Sequence, residues 1–455
     1  MAWFFQAEQR IVPEEETGSS PLELGCGEDV EMKSHTFLRL WTLTALLVFS
    51  LALFVGCAKV RAPESVMDTP EHHTNNGMRS FEKGDLDEAQ REFTLALELA
   101  PKYGPAHVGM GLVQAARYVK VQDPKEKERM LDKAFDSLKS GKKYAKGKEQ
   151  KVFARVGYIR VFTMTKPKGW LEDAKQNFDY AVLDDDQAPA PYYFMGEAYK
   201  QAYKFSEAAG MYRKVLDLDT EYTAEANRSW ELVQKIQRAQ PGTTVGKQIS
   251  LVEAITRADV AALFVEELKL EVIYEKLSIK TFDTSFKAPK SGLEMETETM
   301  VKMAPATDIA DHVLRHDIDT VIRIGVRGLE PFPNHTFRPD EQISRASYAM
   351  MLEDILIKAT RDDKLATKFI GSTSPFPDLR ADLPYFNAVM VCTTRNIMTV
   401  ADKRTGEFRP MATVSGADAL NEQNRLTFPL HTLPRSQWSD VQPTPLLNQR
   451  RTGLA

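Results

Sequence analysis

From residue 75 to about residue 240, small and large apolar residues recur in a pattern that is typical of pairs of short helices. A small residue lets two antiparallel helices approach closely, and the large apolar residues beside it fill the seam between them. One alanine marks each unit, at spacings of 45, 40 and 34 residues: Ala89, Ala134, Ala174 and Ala208. Because one helix pair cannot bury its apolar face alone, we expect four such pairs to stack.

Each unit carries further residues at set places around its alanine. The first unit has Gly77, Gly84, Leu86, Phe93, Ala96 and Pro101; a second has Gly169, Leu171, Phe178 and Ala181; a third has Gly196, Tyr199, Phe205 and Tyr212. A looser unit between the first two has Gly111, Leu131 and Leu138. This set resembles the tetratricopeptide repeat (TPR), and the resemblance implies an α-solenoid over residues 74–240 that is capped by a helix at 224–240.

The resemblance also implies a partner site, since such repeats usually hold a peptide or helix of another protein on their concave surface. Tyr192, Tyr193 and Tyr199 are the candidates for lining this surface, and the alternative is that these aromatic residues only pack the interior. The lysine-rich residues 139–151 are expected to form a solvated loop, and the alternative is contact with anionic headgroups or an acidic partner.

Two short motifs recur in the C-terminal half. Thr256, Ser344 and Ser415 each stand before a new apolar segment, where a hydroxyl can accept a free backbone N–H group at a helix start. Phe-Arg-Pro precedes the second and third of these starts by the same distance, at residues 337–339 and 408–410. Further helices are expected before the two Phe-Arg-Pro motifs, at residues 311–326 and 383–397.

Together these motifs are similar to those of the S-layer homology (SLH) domain, over residues 249–420. The resemblance implies a mostly α-helical, pseudo-threefold bundle that follows the solenoid. Its parts are a partial first copy at 249–270, a polar insertion at 271–305, a second copy at 306–358 and a third copy at 374–420.

In the SLH family, the arginine at each capped helix start faces a groove that binds anionic cell-wall polysaccharide or peptidoglycan-linked glycan. By position, this role falls to Arg257 and Arg345, beside the helix-start residues Thr256, Ser344 and Asp259. An arginine next to a helix N-terminus is well suited to an anion. The third copy has Gly416 in place of the arginine, so the alternative is a structural bundle without affinity for glycan.

The N-terminal segment is typical of export and lipidation. Residues 40–55 are almost wholly apolar, follow Lys33 and Arg39, and lead into Gly56-Cys57. The run is shorter than the about 20 residues of a membrane-spanning helix and suits a signal peptide. Residues 53–57 resemble the lipobox of bacterial lipoproteins, which implies a lipid on Cys57. An uncleaved single-span anchor is the alternative.

We therefore expect translation to start at Met32, since a signal peptide begins with a positive charge close to its start. Residues 1–31 would then be a mis-started preface, residues 32–57 the signal peptide, and residues 58–73 a flexible tether. Ala58 after the cysteine favours the outer membrane, facing the periplasm, by resemblance to lipoprotein sorting. The polar, proline-rich residues 421–455 are expected to be disordered.

Composition excludes several classes of function. The net charge is −5 and the pI is about 6.0, so no basic field indicates nucleic acid. Only Cys392 lies in the expected mature chain, which leaves no internal disulfide. There is no nucleophile motif and no phosphate loop, and His312 and His316 have no evident third metal ligand. We therefore expect no catalysis, no cofactor and no bound metal.

The leading hypothesis is a non-catalytic lipoprotein of the cell envelope. It would bridge a membrane to cell-wall polysaccharide or peptidoglycan through its SLH-like units, while the TPR-like solenoid binds an unidentified protein. The alternative is a TPR scaffold of an envelope assembly or secretion machine, in which the SLH-like bundle is purely structural.

Overall fold

The computed structural model describes residues 61–277 and 306–431, and this part of the chain is mostly α-helical. The described residues form sixteen α-helices and two isolated β-bridges, without a β-strand. The described residues from Pro63 onward belong to one compact unit. The prediction of a mostly α fold is therefore confirmed.

Nine helices make up the first part of the fold. They are α1 (Pro70–Glu82), α2 (Leu86–Leu99), α3 (Gly104–Lys120), α4 (Pro124–Tyr144), α5 (Gly147–Thr165), α6 (Trp170–Asp184), α7 (Pro189–Gln201), α8 (Phe205–Leu218) and α9 (Thr223–Ala239). Each odd-numbered helix up to α7 packs against the even-numbered helix that follows it. The first helices of successive pairs also contact one another, α1 with α3, α3 with α5 and α5 with α7.

Small residues hold these pairs close together, as the sequence predicts. A Cβ atom on Gly77 would lie 2.6 Å from the ring of Phe93, and one on Gly196 would lie 2.7 Å from the ring of Tyr212. The four alanines that mark the units are fully buried: Ala89, Ala134, Ala174 and Ala208. Because each glycine faces an aromatic ring of its partner helix, a larger side chain there would push the two helices apart.

Two boundaries in this part differ from the prediction. Residues 139–151 do not form a loop, because α4 continues to Tyr144, α5 begins at Gly147, and only Ala145 and Lys146 separate them. The predicted tether is also too long, since α1 begins at Pro70. Thr69 caps this helix by accepting the N–H group of His72, and proline suits its first turn.

The second part is the C-terminal bundle, residues 244–431 where described. Its helices are α10 (Thr244–Ile249), α11 (Arg257–Ala262), α12 (Leu270–Leu277), α13 (Arg315–Ile324), α14 (Arg345–Thr360), α15 (Phe386–Thr394) and α16 (Gly416–His431). A π-helical turn at Leu263–Glu267 prolongs α11, and a 3-10 helix at Asp363–Thr367 follows α14. One large apolar core joins these elements, with the rings of Phe264 and Tyr348 stacked 6.1 Å apart.

Three boundaries in the bundle also differ from the prediction. Helix α12 lies mostly within the expected polar insertion, and its residues Leu270 and Ile273 are buried in the core. Helix α16 continues past residue 420 into the expected disordered tail, because Glu422, Gln423 and Leu426 are buried. Helices α13 and α15 are shorter than the predicted segments 311–326 and 383–397.

The expectations about the preface, the signal peptide and the lipidation of Cys57 concern residues outside the described part of the chain. Within that part, none of the helices combines the length and the apolar character needed to cross a membrane. Cys392 is fully buried in the core of the bundle.

Candidate functional site

The predicted helix starts in the C-terminal bundle are capped as expected. The Thr256 hydroxyl accepts the N–H group of Asp259 at 3.2 Å, and the Asp259 carboxylate accepts the N–H group of Thr256 at 2.9 Å. Ser344 accepts the N–H group of Ser347 at 3.1 Å. The polar groups of these predicted site residues thus stabilise the helix ends.

Arg257 lies at the start of α11, but it points into the protein. Its Nε donates to the carbonyl of Phe337 at 2.7 Å, and its two terminal nitrogens donate to the carbonyls of Gly328 and Glu330 at 2.7 and 3.0 Å. The guanidinium also lies 4.7 Å from the centre of the Phe337 ring, and the residue is only 6% exposed. Burial lowers the pKa of Arg257. Its described bonds therefore hold the loop at residues 328–337.

Arg345 repeats this arrangement one unit later. Its Nε donates to the carbonyl of Phe408 at 2.9 Å, and one terminal nitrogen donates to the carbonyl of Thr399 at 2.5 Å. The other terminal nitrogen lies 3.9 Å from the buried carboxylate of Glu422. Burial raises the pKa of Glu422 to about 8, although Arg345 pulls in the opposite direction. Arg345 therefore has an acidic partner within the protein as well as two carbonyls.

The three helix starts are joined by a closed ring of backbone hydrogen bonds. The N–H group of Ile343 donates to the carbonyl of Ile255 at 3.0 Å, that of Val414 to Ile343 at 3.3 Å, and that of Ile255 to Val414 at 2.9 Å. Each helix start thus donates one bond and accepts one bond from its two counterparts. The three helix starts therefore hold one another through their backbones.

The third helix start differs because another part of the chain covers it. The N–H group of Gly416 donates to the carbonyl of Val252 at 2.8 Å. A Cβ atom on Gly416 would overlap the carbonyl of Ile249 at the end of α10. The segment that follows the helix pairs therefore occupies the place that an arginine side chain would need, which accounts for glycine at this position.

Two aspartates that the sequence interpretation missed support the Phe-Arg-Pro motifs. Asp308 accepts the N–H groups of Phe337 and Arg338, both at 2.7 Å. Asp378 accepts the N–H groups of the equivalent Phe-Arg pair at 2.9 and 2.6 Å. Burial alone would raise the pKa of Asp308, but the backbone N–H groups outweigh it and the pKa is lowered. The signal in the sequence is an aspartate before an apolar residue, 29 or 30 positions ahead of each phenylalanine.

The arginines of the Phe-Arg-Pro motifs are much more exposed than those at the helix starts. Arg338 and Arg409 both have a φ angle of 54°, and their side chains are 52% and 53% exposed. The guanidinium of Arg338 lies 4.0 Å from the centre of the Phe332 ring, and Arg409 pairs with Glu407 at 3.1 Å. Unlike Arg257 and Arg345, these two arginines therefore present their charge to the solvent.

The three candidate tyrosines of the helix pairs do not form one surface. Tyr192 is 8% exposed, its hydroxyl donates to the carbonyl of Asp186 at 3.2 Å, and its ring meets that of Phe178. Tyr199 is partly buried against the apolar residues of two neighbouring helix pairs. Tyr193 packs on an aromatic residue just before α9, since its ring stacks on that of Tyr222 at 5.0 Å.

Tyr193 belongs to a row of side chains that we call the aromatic ladder: Phe81, Arg160, Tyr193, Phe194 and Tyr222. The guanidinium of Arg160 lies 5.1 Å from the centre of the Phe81 ring and 4.4 Å from that of Phe194. The rings of Phe194 and Tyr222 are 5.5 Å apart. Arg160 also donates to Glu82, which is mostly exposed, at 2.7 Å. The ladder thus connects α1, α5 and α7 with the residue that precedes α9.

Metal-ligating side chains do not converge in the part of the chain that the structure describes. No group of three or more histidine, cysteine, aspartate or glutamate residues there is arranged to hold a metal ion. His312 uses its Nδ1 atom to accept the N–H group of Leu314 at 3.1 Å.

In comparisons with known proteins, the chain matches no protein-family model and no curated protein. The likeness to TPR and SLH units therefore remains a resemblance carried by the motifs described above.

Proposed function

We propose that the protein is a non-catalytic scaffold of the cell envelope, anchored to a membrane by a lipid on Cys57. In this proposal its TPR-like helix pairs form a solenoid that binds a protein partner on the aromatic ladder. The SLH-like C-terminal bundle is a structural end of the scaffold. The observation that carries the proposal is that Arg160 lies between the rings of Phe81 and Phe194 on the first helices of three pairs, and that Phe194 packs against Tyr222.

The chemistry of the ladder favours a protein partner. Tyrosine and arginine are enriched among the residues that contribute most to binding at protein interfaces. Tyr193, Phe194 and Tyr222 are partly exposed, so a bound segment can cover the accessible part of each ring. Glu82 adds an exposed carboxylate beside Arg160. An amphipathic segment with apolar side chains and one basic group fits this combination.

The chain contains a matched control for testing the ladder. Arg155 lies 4.4 Å from the centre of the Tyr180 ring, the same distance as between Arg160 and Phe194, but Tyr180 is on the second helix of its pair. The full chain is purified from envelope extracts with its bound proteins, which are quantified by mass spectrometry. We expect one partner to be lost with Arg160→Ala/Phe194→Ala and kept with Arg155→Ala/Tyr180→Ala. Equal recovery with both pairs of substitutions would contradict a partner site on the ladder.

The structural role of the bundle is supported by what its buried arginines bind. Arg257 and Arg345 donate to carbonyls of the chain itself, and Arg345 also faces the buried Glu422. A guanidinium in this setting has few donors left for an external anion, and withdrawing it would leave buried carbonyls unpaired. This favours a bundle in which the two arginines stabilise the fold.

A second candidate function is a bridge from the membrane to cell-wall glycan. The observation in its favour is the pair Arg338 and Arg409, which occupy equivalent places in two units and are about half exposed. The test is sedimentation of the full chain with peptidoglycan sacculi, with and without their attached polysaccharide. In this function Arg338→Ala/Arg409→Ala abolishes sedimentation, whereas the exposed pair Arg323→Ala/Arg380→Ala does not. A chain that stays in the supernatant with every preparation excludes the bridge.

The lipid anchor and the placement at an outer membrane, facing the periplasm, follow from the resemblance to lipoproteins. Metabolic labelling with an alkyne fatty acid in a bacterial host tests them. Label on the wild-type chain that Cys57→Ser removes is the expected result, and fractionation of the two membranes then locates the protein. Equal labelling of both chains would exclude lipidation at Cys57.

A further inference from the structure

A group of exposed lysines lies where α4 ends and α5 begins. We call it the lysine edge, and its members are Lys139, Lys142, Lys143, Lys146, Lys148 and Lys151. Residues 139–151 contain only one acidic residue, Glu149. Among the described residues, Lys148 alone of the six has an ion-pair partner, Asp185 at 3.0 Å. Five lysine side chains without an ion-pair partner among the described residues thus extend from the end of α4, the two-residue link and the start of α5.

The lysine edge is on the side of the helix pairs where the chain enters the fold. The hydroxyl of Tyr103, just before α3, donates to the carboxylate of Glu71 in the first turn of α1. A Cβ atom on Gly104, at the start of α3, would lie 2.9 Å from the backbone nitrogen of Ala145, which follows α4. The starts of α1 and α3 and the junction of α4 with α5 are therefore neighbours.

His73 fixes the segment just before α1 to the fold, which shortens the part of the chain that lies between the fold and Cys57. Both ring nitrogens of His73 lie within hydrogen-bond distance of carboxylates, Nε2 at 2.7 Å from Asp68 and Nδ1 at 2.8 Å from Glu92. Asp68 in turn accepts the N–H group of Glu64 at 2.7 Å. The chain is thus tied to α1 and α2 from Glu64 onward. Glu64 lies seven positions after Cys57, and a chain of that length spans at most about 25 Å.

The opposite side of the helix pairs carries as many exposed lysines, but acidic residues are interleaved with them. These lysines are Lys83, Lys120, Lys125, Lys166, Lys168 and Lys204. Exposed carboxylates such as Asp87, Asp123 and Glu172 accompany them. Positive charge is therefore more concentrated at the lysine edge than on the opposite side, although Glu71, Glu149 and the acidic residues 184–186 limit it.

We infer that the lysine edge rests on the anionic headgroups of the membrane into which the lipid of Cys57 inserts. This inference relies on the proposed lipidation of Cys57, because the short chain then holds the edge near the bilayer. Basic side chains are attracted to an anionic membrane only at short range, since salt screens the attraction over about 8–10 Å. The contact would orient the helix pairs on the membrane, with the side of the interleaved lysines facing away.

The test is amine labelling of the full chain on vesicles, read for each lysine by mass spectrometry. One set of vesicles contains phosphatidylcholine alone, and the other contains phosphatidylcholine with phosphatidylglycerol. On the anionic vesicles we expect the lysine edge to be labelled about fivefold more slowly. This factor corresponds to the free energy with which an anionic surface attracts one lysine side chain. The interleaved lysines are the internal control and should be labelled at equal rates on both. High salt should abolish the difference.

Flotation of the same samples separates the two proposals. If the chain floats with both kinds of vesicle but the lysine edge shows no protection, the anchor stands and the inference is wrong. If it floats only with anionic vesicles and Lys→Gln at the six positions of the lysine edge abolishes this, the lysine edge does contact anionic headgroups. The lipid anchor is then wrong, and so is the orientation inferred from the short chain to Cys57. If it floats with neither kind, both are wrong. The same six substitutions on the opposite side should leave flotation unchanged.

Discussion

Replacing Arg257 by alanine tests whether this arginine holds the C-terminal bundle together. The substitution removes three hydrogen bonds, to the carbonyls of Phe337, Gly328 and Glu330, and leaves a space beside the Phe337 ring. Hydrogen bonds from a charged donor contribute roughly 1.5 kcal/mol each, which sums to about 4–5 kcal/mol. A buried carbonyl that is left without its hydrogen-bond donor costs about 1–3 kcal/mol, which agrees with a loss of this size for three carbonyls that are partly rescued by water. We therefore expect Arg257→Ala to destabilise the bundle by about 4 kcal/mol.

The measurement is hydrogen exchange of residues 328–337 followed by mass spectrometry, alongside thermal unfolding of the full chain. A loss of about 4 kcal/mol accelerates exchange through local opening by a factor of roughly 1,000. The control is Arg338→Ala, which removes a half-exposed arginine of the same bundle and should change stability by less than about 1 kcal/mol. If the two variants exchange at the same rate in this loop, the structural role of Arg257 is refuted.

Three further predictions concern other parts of the fold. Burial raises the pKa of Glu422 to about 8, so the stability that its protonated form contributes is lost as the pH rises from about 4.5 to 8. Glu422→Gln should flatten this pH dependence, as measured by unfolding midpoints. Gly416→Ala should destabilise the bundle by about 2 kcal/mol or more in a denaturant titration, because the added methyl group meets the Ile249 carbonyl. The control Gly210→Ala adds a methyl group in open space on α8 and should stabilise the protein by about 0.5–1 kcal/mol. Hydrogen bonds to Glu92 and Asp68 raise the pKa of His73 despite its burial. The protection of residues 64–69 against hydrogen exchange, corrected for intrinsic rates, should therefore fall as the pH rises through that pKa, and His73→Phe should remove this change.

Features that depend on neighbouring residues could be predicted from the sequence. A hydroxyl at a helix start binds an N–H group three residues away, so Thr256 and Ser344 could be identified as caps. The packing positions of the glycines and alanines in the helix pairs could also be predicted from the sequence, because their spacing follows the helical period. Gly77 against Phe93 is an example in which the predicted close approach is present.

Features that depend on distant residues could not be predicted in the same way. Arg257 binds carbonyls 71 to 80 residues further along the chain, and nothing near it in the sequence indicates that it is buried. The aromatic ladder depends on Arg160 meeting Glu82 across 78 residues. Residues 421–431 look polar as a segment, yet the burial of Leu426 and its neighbours in the bundle keeps them helical. Tertiary packing outweighs local composition in all three cases.

The ring of hydrogen bonds between Ile255, Ile343 and Val414 also bears on the order in which the protein folds. Its members are 88 and 71 residues apart, and two of its three bonds involve Val414, close to the last helix. A chain that emerges in the order of its sequence can complete its helix pairs one after another from local contacts. The ring, in contrast, cannot close until Val414 has emerged. A nascent chain would thus present finished helix pairs beside an open bundle, and truncation before Val414 would leave the first two units without their closing partner.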